Sequence, residues 1–309
     1  RRRKEHFRVH GAVRVRRHRS VCNLRRAAAA AVAAADKPRR RVADDEPCYV
    51  IAEIGHNHGG SLDTARQLIR MASDCGASAA KFQKRDNETL YAQSVLDAPY
   101  DGENSFGPTY GAHRAALEFD TNQYLACFEH AKARGLACYA TAFDEPSVDF
   151  LMALNAPAIK IGSGGLTDHH LLRYAARFGR PIILSTGGGT FADIAAAVDS
   201  LSGCPHALLQ CTASYPLDAA EADLLVIPAL MERYPNTVIG WSSHHPGIAL
   251  SLGAYVLGAR IIEHHVTLNR AGRGTDHAFS LESKGLQTLV EDLEKLRIGF
   301  GNGVKTFYE

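Results

Sequence analysis

The sequence predicts an α/β fold, a (β/α)8 barrel of the TIM type, preceded by a disordered basic N-terminal arm. Three observations carry this. From Tyr49 onward, eight short apolar runs of strand length alternate with helix-period segments. Most of the runs are apolar throughout rather than alternating, as strands covered on both faces are. Almost every residue able to do chemistry stands where such a run stops, and a barrel gathers its active site at the C-terminal ends of its strands. Eight units in roughly 250 residues suit a closed ring better than an open doubly wound sheet. No glycine-rich dinucleotide fingerprint follows the first run, which also weighs against the open sheet.

The strands are expected at 49–55, 79–84, 136–143, 158–162, 181–186, 207–212, 238–242 and 260–267. Helices are expected at 61–74, 121–134, 145–154, 168–178, 191–201, 223–234, 247–257 and 283–300. Ser61 and Thr121 are the expected N-caps, because a hydroxyl there accepts from an orphan helix N–H. Gly76, Gly135 and Gly179 are expected to end helices, where a left-handed residue is wanted. One connection breaks the rhythm. Residues 85–120 are polar and rich in Tyr and Asn, and a βα loop of that length is expected to be a lid or specificity loop rather than a disordered insertion. The organisation is an arm or presequence over 1–46, a catalytic barrel over 47–301 and a tail over 302–309.

Composition separates two unlike pieces. Residues 1–41 carry 15 Lys and Arg against Glu5 and Asp36, a balance of +13. The remaining 20 bases and 31 acids give −11, so the folded part is acidic and no nucleic-acid partner is expected. The arm resembles a transit peptide in composition, but a disordered extension, or translated sequence upstream of the true start, is the preferred reading. Seven cysteines form no CxxC pair, which points to free thiols in a reducing cytoplasm. No run approaches the roughly 18–20 apolar residues of a membrane helix, so no membrane partner is expected.

The chemistry is read from the strand ends. Glu53 lies in an apolar first run, where a carboxylate is costly unless it is paired or held for proton transfer. Lys81 and Lys160 each stand in mid-run, and burying an unpaired ammonium is expensive. Two such lysines can neutralise a phosphate and a carboxylate, whereas one could instead form a Schiff base. Thr141, Ser163, Ser185 and Ser242, with the glycines of 162–165 and 187–189, offer the donors a phosphorylated ligand takes. His244-His245 and His264-His265 end the last two runs. Neighbours in a strand point to opposite faces, so one imidazole of each pair can face the mouth, where two suit Mn²⁺, Fe²⁺ or Zn²⁺.

In this order the residues resemble the sialic acid synthase (N-acetylneuraminate synthase) family. The blocks are IAEIGHNHGG, KFQK, ATAFDEPSVDFL, IKIGSG, PIILSTG, CTASYP, GWSSH, IIEHHVTL and GTDHAFSLE, spanning about 49–282. The resemblance implies metal-dependent condensation of phosphoenolpyruvate with an aldose such as N-acetylmannosamine. The products would be a nonulosonic or related 3-deoxy-keto sugar acid and phosphate, with C–O cleavage. It implies Glu53, Lys81 and Lys160 as catalytic residues and His244 and His265 as ligands of Mn²⁺ or Mg²⁺. Thr141, Ser163, Ser185 and Ser242 are implied to hold phosphoenolpyruvate, and Gln83, Tyr215, Glu263 and Asp276 to face the acceptor sugar. A homodimer is also implied. Ala213, Ser243, His264 and Gly165 stand where the family commonly shows Asn, Asp, Lys and Glu. The small C-terminal antifreeze-like domain typical of the family is not expected within a sequence that runs to Glu309. A Schiff-base aldolase and a non-catalytic sugar-acid-binding barrel are the competing readings.

Overall fold

The computed structural model describes Val42 and residues 46–308. The arm expected over 1–46 therefore lies, apart from Val42 and Glu46, outside the described residues. The eight strands are β1 (Tyr49–Gly55), β2 (Ala79–Lys84), β3 (Ala137–Ala142), β4 (Ile159–Ile161), β5 (Ile182–Ser185), β6 (His206–Cys211), β7 (Val238–Ser243) and β8 (Ile261–His265). All pair in parallel, each with its sequence neighbours, and β8 returns to β1 to close the barrel. The expected strands form in the expected order. Their ends move by up to two residues, and β4 shrinks to three residues.

The major helices follow the same order. α1 (Leu62–Asp74) precedes β2. The long connection after β2 carries α2 (Asn87–Leu90), α3 (Gln93–Leu96) and α4 (Tyr110–Leu117) before α5 (Thr121–Ala133). Then come α6 (Glu145–Ala153), α7 (His169–Ala176), α8 (Phe191–Ser200), α9 (Val226–Arg233), α10 (Ala249–Val256) and α11 (Ser283–Gly299). α1 shows why they form: Ser61 accepts from the Thr64 N–H, and Ala65, Leu68, Ile69 and Ala72 recur at helical spacing on the buried face. Full burial of Leu68 and Ile69 stabilises by roughly 1.5–3 kcal/mol each. Gly76, Gly135 and Gly179 take positive φ after their helices, as expected.

One cap differs. Thr121 is the first residue inside α5, and Asp120 caps it in a reciprocal box with Gln123. The Asp carboxylate outcompetes the adjacent hydroxyl because it also favours the positive end of the helix dipole. Residues 85–120 are structured, with Asp86 and Thr109 capping α2 and α4. In β7 the ring leaves no room at Gly240, where a Cβ would lie 2.5 Å from the Leu209 side chain and 2.6 Å from the Ile261 carbonyl. The six described cysteines are buried and form no disulfide with one another. Among the described residues, no helix is long and apolar enough to cross a membrane.

Candidate active site

Strand register sets the site. Parallel partners point to the same face, and Glu53 is in register with Lys81 on one side and His265 on the other. Gln83 is in register with Thr141, Thr141 with Lys160, and Ser242 with Glu263. The pairing of β1 with β2 shifts after Glu53, where Gly55 adopts φ +53°. A side chain at Gly55 would meet Gln83 Nε2 at 3.2 Å and Glu53 Oε1 at 3.3 Å, so glycine serves both the backbone and the packing.

The charges interlock. Lys81 Nζ lies 2.6 Å from Glu53 Oε2 and donates to Thr141 Oγ1 at 2.8 Å. Gln83 Nε2 donates to Glu53 Oε1 at 2.9 Å. Lys160 Nζ donates to Ser185 Oγ at 2.6 Å. Glu263 Oε1 joins the two halves, 3.6 Å from Lys81 and 3.9 Å from Lys160, and accepts from Ser242 at 3.2 Å. Both lysines and both carboxylates are buried. Burial alone would raise the Glu263 carboxyl, but Lys160, Lys81 and the two imidazoles outweigh it and hold it below the usual range. Lys160 is lowered, by burial first and then by Lys81, against the pull of Glu263. The cluster brings two lysines and two carboxyl groups together out of water, where each depends on the others as partners.

The histidine pairs split as strand alternation demands. His265 faces the mouth, while His264 turns outward with its ring nitrogens at the carbonyls of Gly247 and His265. His244 and His265 have ring centroids 5.6 Å apart. Two imidazoles sharing one ion at roughly 2.1 Å per bond have centroids on the order of 6 Å apart or less, so this pair fits. His244 Nδ1 faces the Thr212 carbonyl at 3.0 Å, which leaves Nε2 for a ligand, and burial followed by His265 lowers its pKa to about 3. His265 Nδ1 is buried without a hydrogen-bond partner, 3.6 Å from Asp276 Oδ2. Among the described residues no three His, Cys, Asp or Glu side chains converge as a ligand set. The protein would thus supply two nitrogens and leave the other positions to substrate and water.

Tyr215 and Ser163 stand at the rim. Tyr215 is 55% exposed and packs its ring 4.0 Å from that of His244, and Ser163 Oγ accepts from the Gly187 N–H. Neither hydrogen-bonds the charged centre. All thirteen residues singled out from the sequence therefore share one end of the barrel, eleven around the buried centre and these two above it.

Other residues at this end lie outside those thirteen. Arg85 is buried, stacks 3.7 Å over Phe143, and donates to Gln83 Oε1 at 2.8 Å. It fixes the amide that holds Glu53. His56 Nε2 lies 3.1 Å from Arg85 Nη1. Asn57 donates to the Val266 carbonyl and to Ser280 Oγ, tying β1 to the loop after β8.

His56 and His58 set an acid limit. Burial lowers both, His58 to about 4 and His56 well below the ordinary imidazole range, the latter also through Arg85. They fold as neutral rings, whereas the unfolded chain takes up protons below about pH 6.5, so stability is lost as pH falls from there toward 4. Urea denaturation at pH 7.5, 6 and 5 should show a loss of ~1.4 kcal/mol per pH unit for each ring in that window. Substituting Phe for His58, which lies 4.1 Å from Phe119, should flatten the slope by one such increment.

Comparison with known proteins fits this geometry. Residues 68–305 match the NeuB family. The chain is 39% identical to human N-acetylneuraminate-9-phosphate synthase over 272 residues, which is 87% of this chain and 75% of that protein. It is 31% identical to the N,N'-diacetyllegionaminic acid synthase of Legionella pneumophila, with 84% and 74% of the two chains covered. A solved N-acetylneuraminic acid synthetase from Leptospira borgpetersenii superposes with a TM-score of 0.74 at 33% identity, covering 85% of this chain and 88% of that one. A barrel named 3-deoxy-D-arabino-heptulosonate 7-phosphate synthase, from Thermotoga maritima, shares the fold at 18% identity and TM-score 0.62. With the family matching more than three quarters of its length, this chain belongs to the NeuB family of sialic acid synthase-type enzymes.

Proposed function

We propose that the barrel condenses phosphoenolpyruvate with an N-acylated amino-sugar aldose, such as N-acetylmannosamine, giving a nonulosonic acid and phosphate. The observation that carries this is the buried array in which Glu263 lies near both Lys81 and Lys160 while Glu53 pairs with Lys81. Two ammoniums with Thr141 and Ser185 suit the carboxylate and phosphate of phosphoenolpyruvate. The human and Legionella pneumophila relatives are named as nonulosonic acid synthases.

The residues divide the work. His244 and His265 would hold a divalent ion, Mn²⁺ or Mg²⁺, which supplies Lewis-acid polarisation of the aldehyde oxygen. Lys81, Lys160 and their hydroxyl partners fix the enol phosphate so that its methylene carbon faces the aldehyde carbon. Carbon–carbon bond formation leaves the aldehyde oxygen as an alkoxide, which takes a proton from solvent, and a cationic carbon at the enol position. Water adds there, and Glu53, oriented by Gln83 and Lys81, takes its proton. The tetrahedral intermediate then collapses to the ketone, breaking the C–O bond and releasing phosphate.

Purified protein with phosphoenolpyruvate, Mn²⁺ and a panel of aldoses should release phosphate only when an accepted aldose is present. Water labelled with ¹⁸O should enter the ketone-forming carbon and not the phosphate. Aldose-independent release, or label in phosphate, would overturn the reading. Lys160, with its ammonium depressed by burial, is also the residue a Schiff-base aldolase would use, and borohydride trapping of substrate on the protein separates that chemistry.

A further inference from the structure

Where the segment joining β5 to α8 meets the segment joining β6 to α9 lies a cavity that none of the thirteen site residues lines. It has a volume of about 380 Å³, with Thr186, Thr190, Phe191, Gln210, Thr212 and Asp223 in its wall. That falls within the roughly 300–1,000 Å³ of small-molecule sites. At ~30 Å³ per water it has room for about a dozen, which matches one sugar ring with its substituents.

We propose that this cavity is a second ligand site, separate from the reacting centre, which takes a neutral monosaccharide ring. Binding there needs no turnover and goes beyond the condensation reading.

The wall offers acceptors. Thr186 Oγ1 donates to the Leu209 carbonyl at 3.1 Å, Thr190 Oγ1 to Asp193 Oδ2 at 2.7 Å, and Thr212 Oγ1 to the Glu221 carbonyl at 2.7 Å. A hydroxyl has one proton, so these three have only lone pairs left for a ligand. Gln210 is 6% exposed, and its Nε2 donates to the Ala222 carbonyl at 3.3 Å. Its Oε1 makes no hydrogen bond with any described residue, a costly state for a buried amide unless a donor arrives. Asp223 is held at φ +46°, a conformation that a residue with a side chain keeps only where its surroundings impose it. Its carboxylate makes neither a hydrogen bond nor an ion pair among the described residues. Acceptors gathered in this way call for a ligand rich in donors, as a ring of hydroxyls is.

Charge narrows the class to neutral ligands. No Lys or Arg lines the cavity, and Asp223 repels an anion. The cap of α8 is also spoken for: the Thr190 N–H donates to Asp193 Oδ2 and the Asp193 N–H to Thr190 Oγ1. An organic cation is disfavoured in turn, because the Arg233 guanidinium already lies 4.2 Å from the Phe191 ring centre. Phe191, Ile194 and Val226 supply apolar surface, which the C–H face of a sugar ring covers while its hydroxyls meet the acceptors.

The test uses the full chain with the methyl glycosides of glucose, mannose, galactose and N-acetylglucosamine, whose locked rings have no aldehyde to offer the reacting centre. Saturation-transfer NMR and calorimetric titration should show at least one of them binding saturably. Gln210→Leu should weaken that binding roughly 3- to 10-fold, the loss of one hydrogen bond, with a thermal melt to confirm the fold. Asp223→Gly, which relieves the backbone and so keeps the fold, should weaken it by roughly the same factor. No saturable binding by any of the four would overturn the proposal. So would an affinity unchanged in both variants, or displacement of the glycoside by an equal concentration of inorganic phosphate or tetramethylammonium. Either failure leaves the condensation reading standing, and absence of turnover leaves the titration intact.

Discussion

Glu53→Gln should lower kcat by roughly 10²- to 10⁴-fold while leaving the fold and the affinity for phosphoenolpyruvate near those of the wild type. Glutamine keeps the volume of the side chain and a carbonyl oxygen for the Gln83 amide to meet. Lys81, deprived of its 2.6 Å partner, retains the Thr141 hydroxyl and the charge of Glu263 3.6 Å away, so it is not left a bare ammonium. What the substitution removes is the capacity to take a proton from water. Single-turnover phosphate release, alongside a thermal melt and a binding isotherm, makes the separation. A kcat within tenfold of wild type would remove Glu53 from proton handling and reduce it to a counter-ion for Lys81.

Lys160→Met should raise KM for phosphoenolpyruvate roughly 10- to 100-fold, because the loss is a charge-assisted donor to an anion. Methionine fills a similar buried volume without a charge, and Glu263 keeps Lys81 and Ser242. The wild type carries a second signature. Since burial and Lys81 depress Lys160, its charged form is lost as pH rises through a value below the ordinary lysine range. kcat/KM for phosphoenolpyruvate should therefore decline on the alkaline side earlier than a solvated lysine would cause. Lys160→Arg, which does not titrate there, should abolish that decline even if its longer fork costs affinity. An unchanged KM in Lys160→Met would place the anion elsewhere.

What the sequence disclosed follows from where physics leaves few options. An ammonium in mid-strand, as at Lys81 and Lys160, has almost no bland explanation, and the two come together on Glu263. Strand order was legible because continuous apolar runs can only be buried strands or helices, and their lengths chose between these. Cap detail was less so: Asp120 and Thr121 are adjacent and both chemically suitable, and only the backbone decides. Arg85 and Arg114 are hidden in the sequence for a different reason. In a polar connection an arginine reads as solvated, and nothing in 85–120 announces that Phe143 and Tyr110 will be beneath these guanidiniums. The ordered helices of that connection were equally hidden, since four-residue helices such as Asn87–Leu90 lack periodicity.

The ring closes between its first and last strands, and the site straddles that seam: Glu53 stands against His265, and Asn57 reaches the Val266 carbonyl across 209 positions. A nascent chain still lacking its final strand has the lysines but neither the second imidazole nor the wall behind the carboxylate. Contacts this distant are the slowest to form, because the entropy of closing the loop is spent before they reward it. Turnover during refolding is thereby a reporter of the completed circle, appearing only after the individual units have acquired their own structure.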